Sequence, residues 1–185
     1  MGKTMTINVR VKGQTGEREI ADDLNAIIAA VRKELLLPAL EKPQVQRNQN
    51  QSAVGGCDLT GTYDLAIEIK RQEALSINTW WAQTVKSSSE VGGIPVLLFR
   101  QNAKPGQRTQ WRCLTIVELP PAFGVPGARA QNVRAEISYD TFKEWFRDRA
   151  KRHTLAENPQ VPEEDEIVAL PVRAPRTPSL FDAHV

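Results

Sequence analysis

Gly55-Gly-Cys-Asp58-Leu-Thr-Gly-Thr-Tyr63-Asp64-Leu-Ala-Ile-Glu68-Ile-Lys70-Arg-Gln-Glu73 is the stretch on which the fold turns. Tyr63, Leu65, Ile67 and Ile69 alternate with Asp64, Ala66, Glu68 and Lys70, so the run reads as a strand with one apolar face. Its second face carries a carboxylate and an ammonium two residues apart, with Asp58 upstream across a glycine-containing turn. Glu-x-Lys alone is a common cross-strand ion pair or solvated edge. An acid before the turn, an acid on a preceding helix and a following helix make it a candidate metal site beside a positive charge.

Asp64 shares face parity with Glu68 and Lys70, but it lies four residues before Glu68 on the same strand, about 13 Å away. One ion does not bridge that gap. A hairpin from a short strand Cys57–Thr60, through Gly61-Thr62, would return Asp58 beside Glu68, so Asp58 is the expected partner.

Outward from this stretch, Met5, Ile7, Val9 and Val11 alternate as a short strand, and Lys12–Gly16 reads as a turn. A helix is expected from Glu17 to Leu36, with Ile20, Leu24, Ile27, Ile28, Val31 and Leu35 on one face. Glu17 falls on that core-facing side, whereas Glu19, Asp22 and Asp23 mostly face outward. Glu17 is either a first-turn acid favoured by the helix dipole or a site residue, and we favour the latter. Gln44–Asn48 reads as a strand. Arg47 near its end and Gln49, Asn50, Gln51 and Ser52 on the polar loop that follows lead into the central strands, residue types suited to phosphate contacts.

Ser76–Ser89 is expected to be a helix with Ile77, Trp80, Trp81, Thr84 and Val85 at helical spacing. Pro95–Arg100 and Trp111–Leu119 read as strands, and Val133–Ile137 as a further short one. Tyr139 to His153 reads as a helix with Phe142, Trp145 and Phe146 inside and a basic end. From Thr154 prolines and acids replace periodicity, which suggests a flexible tail. The expected division is a domain over residues 1–153 and a tail over 154–185.

The 185 residues suffice for one core, and 41% apolar content is ordinary for a soluble chain. No apolar run reaches membrane-spanning length, and the polar start Met1–Asn8 is not expected to be a signal peptide. Cys57 and Cys113 lack zinc spacing and fit reduced packing residues in a cytoplasmic protein. The net charge of +2 divides unevenly. From Thr154 onward two basic residues face six acidic ones, against 22 and 16 in the remainder. A basic domain with an acidic tail suits a nucleic-acid binder.

With Asp58, Glu68-Ile69-Lys70 and the helix after them on the page, the chain resembles the PD-(D/E)xK nuclease superfamily. Cys57 stands where that motif has proline. Lys-Gly, three residues, then Glu17-Arg is similar to the start of archaeal Holliday-junction resolvases, and Trp80-Trp81-Ala-Gln83 resembles the superfamily's helix glutamine. Gly-Gly-x-Asp-Leu-x-Gly, Ile-Glu-Ile-Lys-Arg-Gln-Glu and Ile-Pro-Val-Leu-Leu-Phe-Arg together look like small phage and prophage nucleases of resolvase type. Thr177-Pro-Ser-Leu180-Phe181 resembles a sliding-clamp-binding peptide without its leading glutamine.

The resemblance implies an α/β, restriction-endonuclease-like αβββαβ core, with a central mixed sheet flanked by helices and an added C-terminal helix. It implies a Mg²⁺-dependent DNA endonuclease, with Mn²⁺ able to substitute, acting on branched DNA in the cytoplasm, that of a bacterial host if phage-encoded. Two symmetric cuts by a chain with one set of Asp58, Glu68 and Lys70 are most simply made by a homodimer. Asp58, Glu68, Glu17 and the carbonyl of Ile69 would hold the metal. Lys70 would orient the attacking water, Gln83 would hold the phosphate or Lys70, and Arg47, Gln49, Gln51, Ser52 and Arg71 would grip DNA. Leu180 and Phe181 would make a weak clamp contact. The alternatives are a restriction-like or repair nuclease on duplex DNA, and a non-catalytic DNA-binding relative.

Overall fold

The computed structural model describes residues 9–49, 56–102, 109–121 and 129–160. The order is α1 (Val9–Glu34), β1 (Gln46–Arg47), β2 (Leu59–Thr60), β3 (Leu65–Gln72), α2 (Ile77–Val91), β4 (Ile94–Gln101), β5 (Arg112–Leu119), β6 (Gln131–Ser138) and α3 (Tyr139–Glu157). Four strands form one sheet in the order β3-β4-β5-β6, with β3 and β4 parallel and the other neighbours antiparallel. The parallel pair is joined through α2, as a parallel connection requires. The mixed sheet between helices, with α3 added, matches the expected restriction-endonuclease-like architecture.

Strand alternation divides the core between the two faces of the sheet. Leu65, Ile67, Ile69, Val96, Leu98 and Cys113 pack with Ile20, Leu24, Ile28 and Val31 of α1 and Phe142, Phe146 and Ala150 of α3. Leu97, Phe99 and Leu114 face the other way and take Trp80 of α2, with Trp81 partly buried beside them. Phe142, Phe146 and Trp80 therefore fill their own core, with Tyr139, Trp145 and Trp81 partly buried against it.

α1 begins earlier than its periodicity suggests. Val9 and Val11 are helical rather than extended, the expected turn at Lys12–Gly16 is helix, and the rest of the expected first strand lies outside the described residues. Two glycines inside a helix each cost about 1 kcal/mol relative to alanine, so packing must favour the extension. At Gly16 a Cβ would stand 3.1 Å from Cη2 of Trp111 and 3.7 Å from Cβ of Arg71. Glycine lets the helix lie directly on those side chains. The helix ends at Glu34 and the chain leaves it through Leu36, whose φ is 56°, with Leu37 N–H donating to the Arg32 carbonyl at 2.8 Å. This left-handed terminus uses leucine where glycine is usual.

The expected hairpin is corrected. β2 pairs with β1 rather than with β3, through Gln46 opposite Thr60 and Arg47 opposite Leu59. The segment entering β1 is fastened to α1 by Asn25, which donates to the Val45 carbonyl at 2.8 Å and accepts from the Val45 N–H at 2.9 Å. One amide side chain thus supplies both hydrogen bonds that a neighbouring strand would offer. At Gly61, φ is 74° and a Cβ would meet the Gln44 carbonyl oxygen at 2.1 Å, so only glycine fits the turn leaving β2.

The C-terminal helix also exceeds expectation. α3 starts on Ser138, whose Oγ accepts from the Thr141 N–H at 3.0 Å, and runs through Thr154 to Glu157. Thr154 is buried and His153 stacks on Tyr63 with ring centroids 4.5 Å apart. Residues 154–157 therefore belong to the packed helix rather than to a tail. β6 is eight residues long, not the short strand expected over Val133–Ile137. Among the described residues no helix is long and apolar enough to cross a membrane.

Candidate active site

β3 is one edge of the sheet, and the chain closes that edge with Asp58. The Asp58 N–H donates to the Ile67 carbonyl at 3.0 Å, and the Ile69 N–H donates to Asp58 Oδ2 at 2.6 Å. The backbone and carboxylate of one residue thus occupy the hydrogen-bonding positions of a missing strand and set Asp58 beside Glu68. Asn48 holds this segment from behind: its N–H donates to the Asp58 carbonyl at 2.8 Å and its Nδ2 to the Cys57 carbonyl at 3.0 Å. Nothing in the sequence singles out Asn48, because its role depends on β1 and β2 being neighbours.

Glu68 and Lys70 point to the α2 face of the sheet. Lys70 Nζ donates to Glu68 Oε1 at 2.5 Å. Glu68 is buried, and its Oε2 has no hydrogen-bond partner among the described residues. A buried carboxylate oxygen left in this state is costly, and a hard cation is one group that would satisfy it. Asp58 is buried as well. Burial first, and then the charges of Glu68 and Asp58, push the neighbouring Cys57 thiol up to about 11.

The structure joins Asp58, Glu68, Ile69 and Lys70, and it does not draw every expected residue to them. Glu17 accepts from Arg47 Nε at 2.6 Å, which ties α1 to β1. Gln83 is exposed on α2, off the buried stripe Trp80, Thr84 and Ser88. Arg71 donates from Nε to Asn102 Oδ1 at 3.1 Å. Gln49 is exposed at the end of a described segment, while Gln51, Ser52, Leu180 and Phe181 lie outside the described residues. Among the described residues no group of three or more His, Cys, Asp or Glu side chains is arranged so that it could hold a metal ion. The Asp58–Glu68 pair still fits Mg²⁺, which takes one or two carboxylates and keeps waters or substrate oxygens for the rest.

Asp64 is turned aside by the backbone. Tyr63 has φ of 58°, which breaks the strand just before Leu65 and cancels the face parity read from the sequence. The Asp64 carboxylate instead pairs with Arg149 of α3, away from Glu68. Glu19, expected to face outward, accepts from both Nη atoms of Arg100 at 2.8 and 2.7 Å and from Trp111 Nε1 at 2.9 Å. Burial acts to raise its pKa, but the bonds from Trp111 and Arg100 outweigh this and hold it below the ordinary carboxylate value. This cluster locks α1 onto β4 and β5 and lies outside the Asp58–Glu68 pair.

A family model described as "Phage putative PDDEXK endonuclease" matches residues 8–114. The chain belongs to this family. The match runs from the start of α1 into β5, and so includes Asp58, Glu68 and Lys70. Membership makes the chain a PDDEXK nuclease of phage type, a superfamily whose members generally use divalent metals. Searches of the curated proteins and of the solved structures give no match.

Proposed function

We propose that this PDDEXK nuclease is a Mg²⁺-dependent DNA endonuclease, with Mn²⁺ able to substitute, that cuts four-way junctions as a homodimer in a bacterial host cytoplasm. The observation that carries the metal reading is Glu68: buried, beside Asp58, one oxygen held by Lys70 and the other without a partner. Asp58 and Glu68 would hold the ion together with the Ile69 carbonyl, which projects to the same strand edge as the Ile69 N–H bonded to Asp58. A divalent cation supplies Lewis acidity there, neutralising charge on the scissile phosphate and acidifying a water.

The remaining work falls to the chain's own groups. Lys70, oriented by Glu68, would align the attacking water and offset charge developing at phosphorus. Arg47 and Arg71 would bind flanking phosphates, together with Gln49, Gln51 and Ser52, which follow Arg47 closely in sequence. Glu17 is the proposed third carboxylate, released when Arg47 exchanges it for a phosphate, and Gln83 would contact the phosphate from α2. The residues through the end of α3 at Glu157 would carry the nuclease, and the acidic, proline-rich remainder would be a tail, with Leu180 and Phe181 making a weak clamp contact.

The deciding experiment compares cleavage of a four-way junction with cleavage of matched linear duplex, in Mg²⁺ and in EDTA. Paired junction cuts that require Mg²⁺ are expected. Equal cutting of both substrates would replace the junction reading with that of a duplex nuclease, and cutting in EDTA would end the metal reading.

A further inference from the structure

The two edges of the sheet are treated differently by the chain. β3 is closed by Asp58, whereas no described element pairs with the outer side of β6. β6 lies in unbroken register with β5 over all eight residues, from Gln131 opposite Leu119 to Ser138 opposite Arg112. It contains no proline, no lysine and no bulge, three of the devices that keep an exposed edge from pairing, and its only charges are Arg134 and Glu136, of opposite sign. A long regular edge of this kind is a template for another strand.

The charges of β6 complement those of a second copy of the same strand. In an antiparallel pair of identical strands related by a two-fold axis perpendicular to the sheet, one residue faces its own copy and side chains keep their face. With Arg134 or Glu136 on the axis, like charges would stand directly opposite, which is destabilising. With Ala135 on the axis, Arg134 faces the second copy's Glu136 twice and Val133 faces its Ile137 twice. Both charged side chains are exposed, while Val133, Ala135 and Ile137 are half-buried on the α3 side. Within the chain, Glu136 accepts from Arg112 at 2.6 and 2.7 Å and Arg134 donates to Asn78 at 3.1 Å, so both charges are already held on the α2 face.

We infer that β6 is the homodimer interface, pairing antiparallel with β6 of a second copy about an axis at Ala135 to give one continuous sheet. This rests on the dimeric part of the proposed function and not on its chemistry. It also fixes where the two sites lie. Glu68, Leu97, Leu114 and Glu136 form one row across the sheet, one residue from the axis. Seven strand intervals separate the two copies of β3, so the Glu68 rows stand about 34 Å apart, ignoring twist. Both sites open on the same, α2, face. Two cuts on one branched substrate need that common face.

The test is an obligate charge pairing. Arg134→Glu makes both edge charges negative, and Glu136→Arg makes both positive. Each variant alone is expected to be a monomer by light scattering at micromolar concentration, and their equimolar mixture a dimer. Ala135→Cys should cross-link to its own copy under mild oxidation, whereas Val133→Cys should not. Circular dichroism checks folding, and the cysteine variants keep the inference testable if Glu136→Arg does not fold. A dimeric wild type whose charge variants also remain dimeric would overturn the β6 interface and leave the dimeric reading standing. A wild type that is monomeric free and on junction DNA would overturn both. A monomer whose β6 amides resist hydrogen exchange would also overturn it, by placing the chain's own tail on that edge.

Discussion

Asp58 Oδ2 accepts the backbone N–H of Ile69 at 2.6 Å, so the acid beside Glu68 is held by the strand that carries Glu68 and Lys70. An oxygen acceptor is what this bond needs, and an amide oxygen can serve. Asp58→Asn should therefore fold and bind DNA but lose cleavage. Asp58→Ala should lose cleavage and also about 1–3 kcal/mol of stability, because the Ile69 N–H is left unpaired. Asp64→Asn, whose partner is Arg149, should cut normally. Urea denaturation and single-turnover cleavage separate the three, and full activity in Asp58→Asn would overturn the assignment.

Glu68→Gln should abolish cleavage and weaken Mn²⁺ binding at least tenfold by calorimetry, since it removes a charge from the pair that would hold the ion. Lys70→Ala should also abolish cleavage but retain the ion, because it removes a cation from the same place. Equal Mn²⁺ affinity in wild type and Glu68→Gln would refute the proposed ligand.

Gly61→Ala places a Cβ about where the Gln44 carbonyl already stands, at a φ of 74°. The turn must shift, at a cost of more than about 1 kcal/mol. That shift loosens the β1–β2 pair through which Asn48 holds Asp58, so cleavage should fall along with the melting temperature. An unchanged melting temperature would contradict the geometry.

Glu19 gives a pH dependence. Its folded pKa lies below the unfolded value, so the stability it contributes is present above the ordinary carboxylate value of 4.5 and is lost as pH falls below it. Glu19→Gln should flatten the acid limb of melting temperature against pH, with little change at neutral pH in cleavage because the cluster lies away from Glu68. An acid limb as steep as that of wild type would refute the assignment.

Asn25→Ala should cost about 1–3 kcal/mol, since it unpairs both polar groups of Val45 at once. Asn25→Asp keeps the acceptor for the Val45 N–H and should recover part of that loss in urea titrations.

Strand alternation by itself determined that Leu65, Ile67 and Ile69 would be buried on one face and that Glu68 and Lys70 would share the other. Helical periodicity likewise determined the inward faces of α1 and α3, because 2- and 3.6-residue repeats are set within a few neighbouring residues. The motif's order along the chain sufficed for the mixed sheet and the nuclease family. What local periodicity cannot carry was decided by contacts between distant segments. Tyr63 entering the left-handed region turned Asp64 to Arg149, and Asn48 and the edge of β3 captured Asp58. Arg47 claimed Glu17, and Trp111 let α1 run through Gly16 to an earlier start. Each of these depends on a partner at least ten residues away in sequence or on one backbone angle, so only the packed chain fixes it.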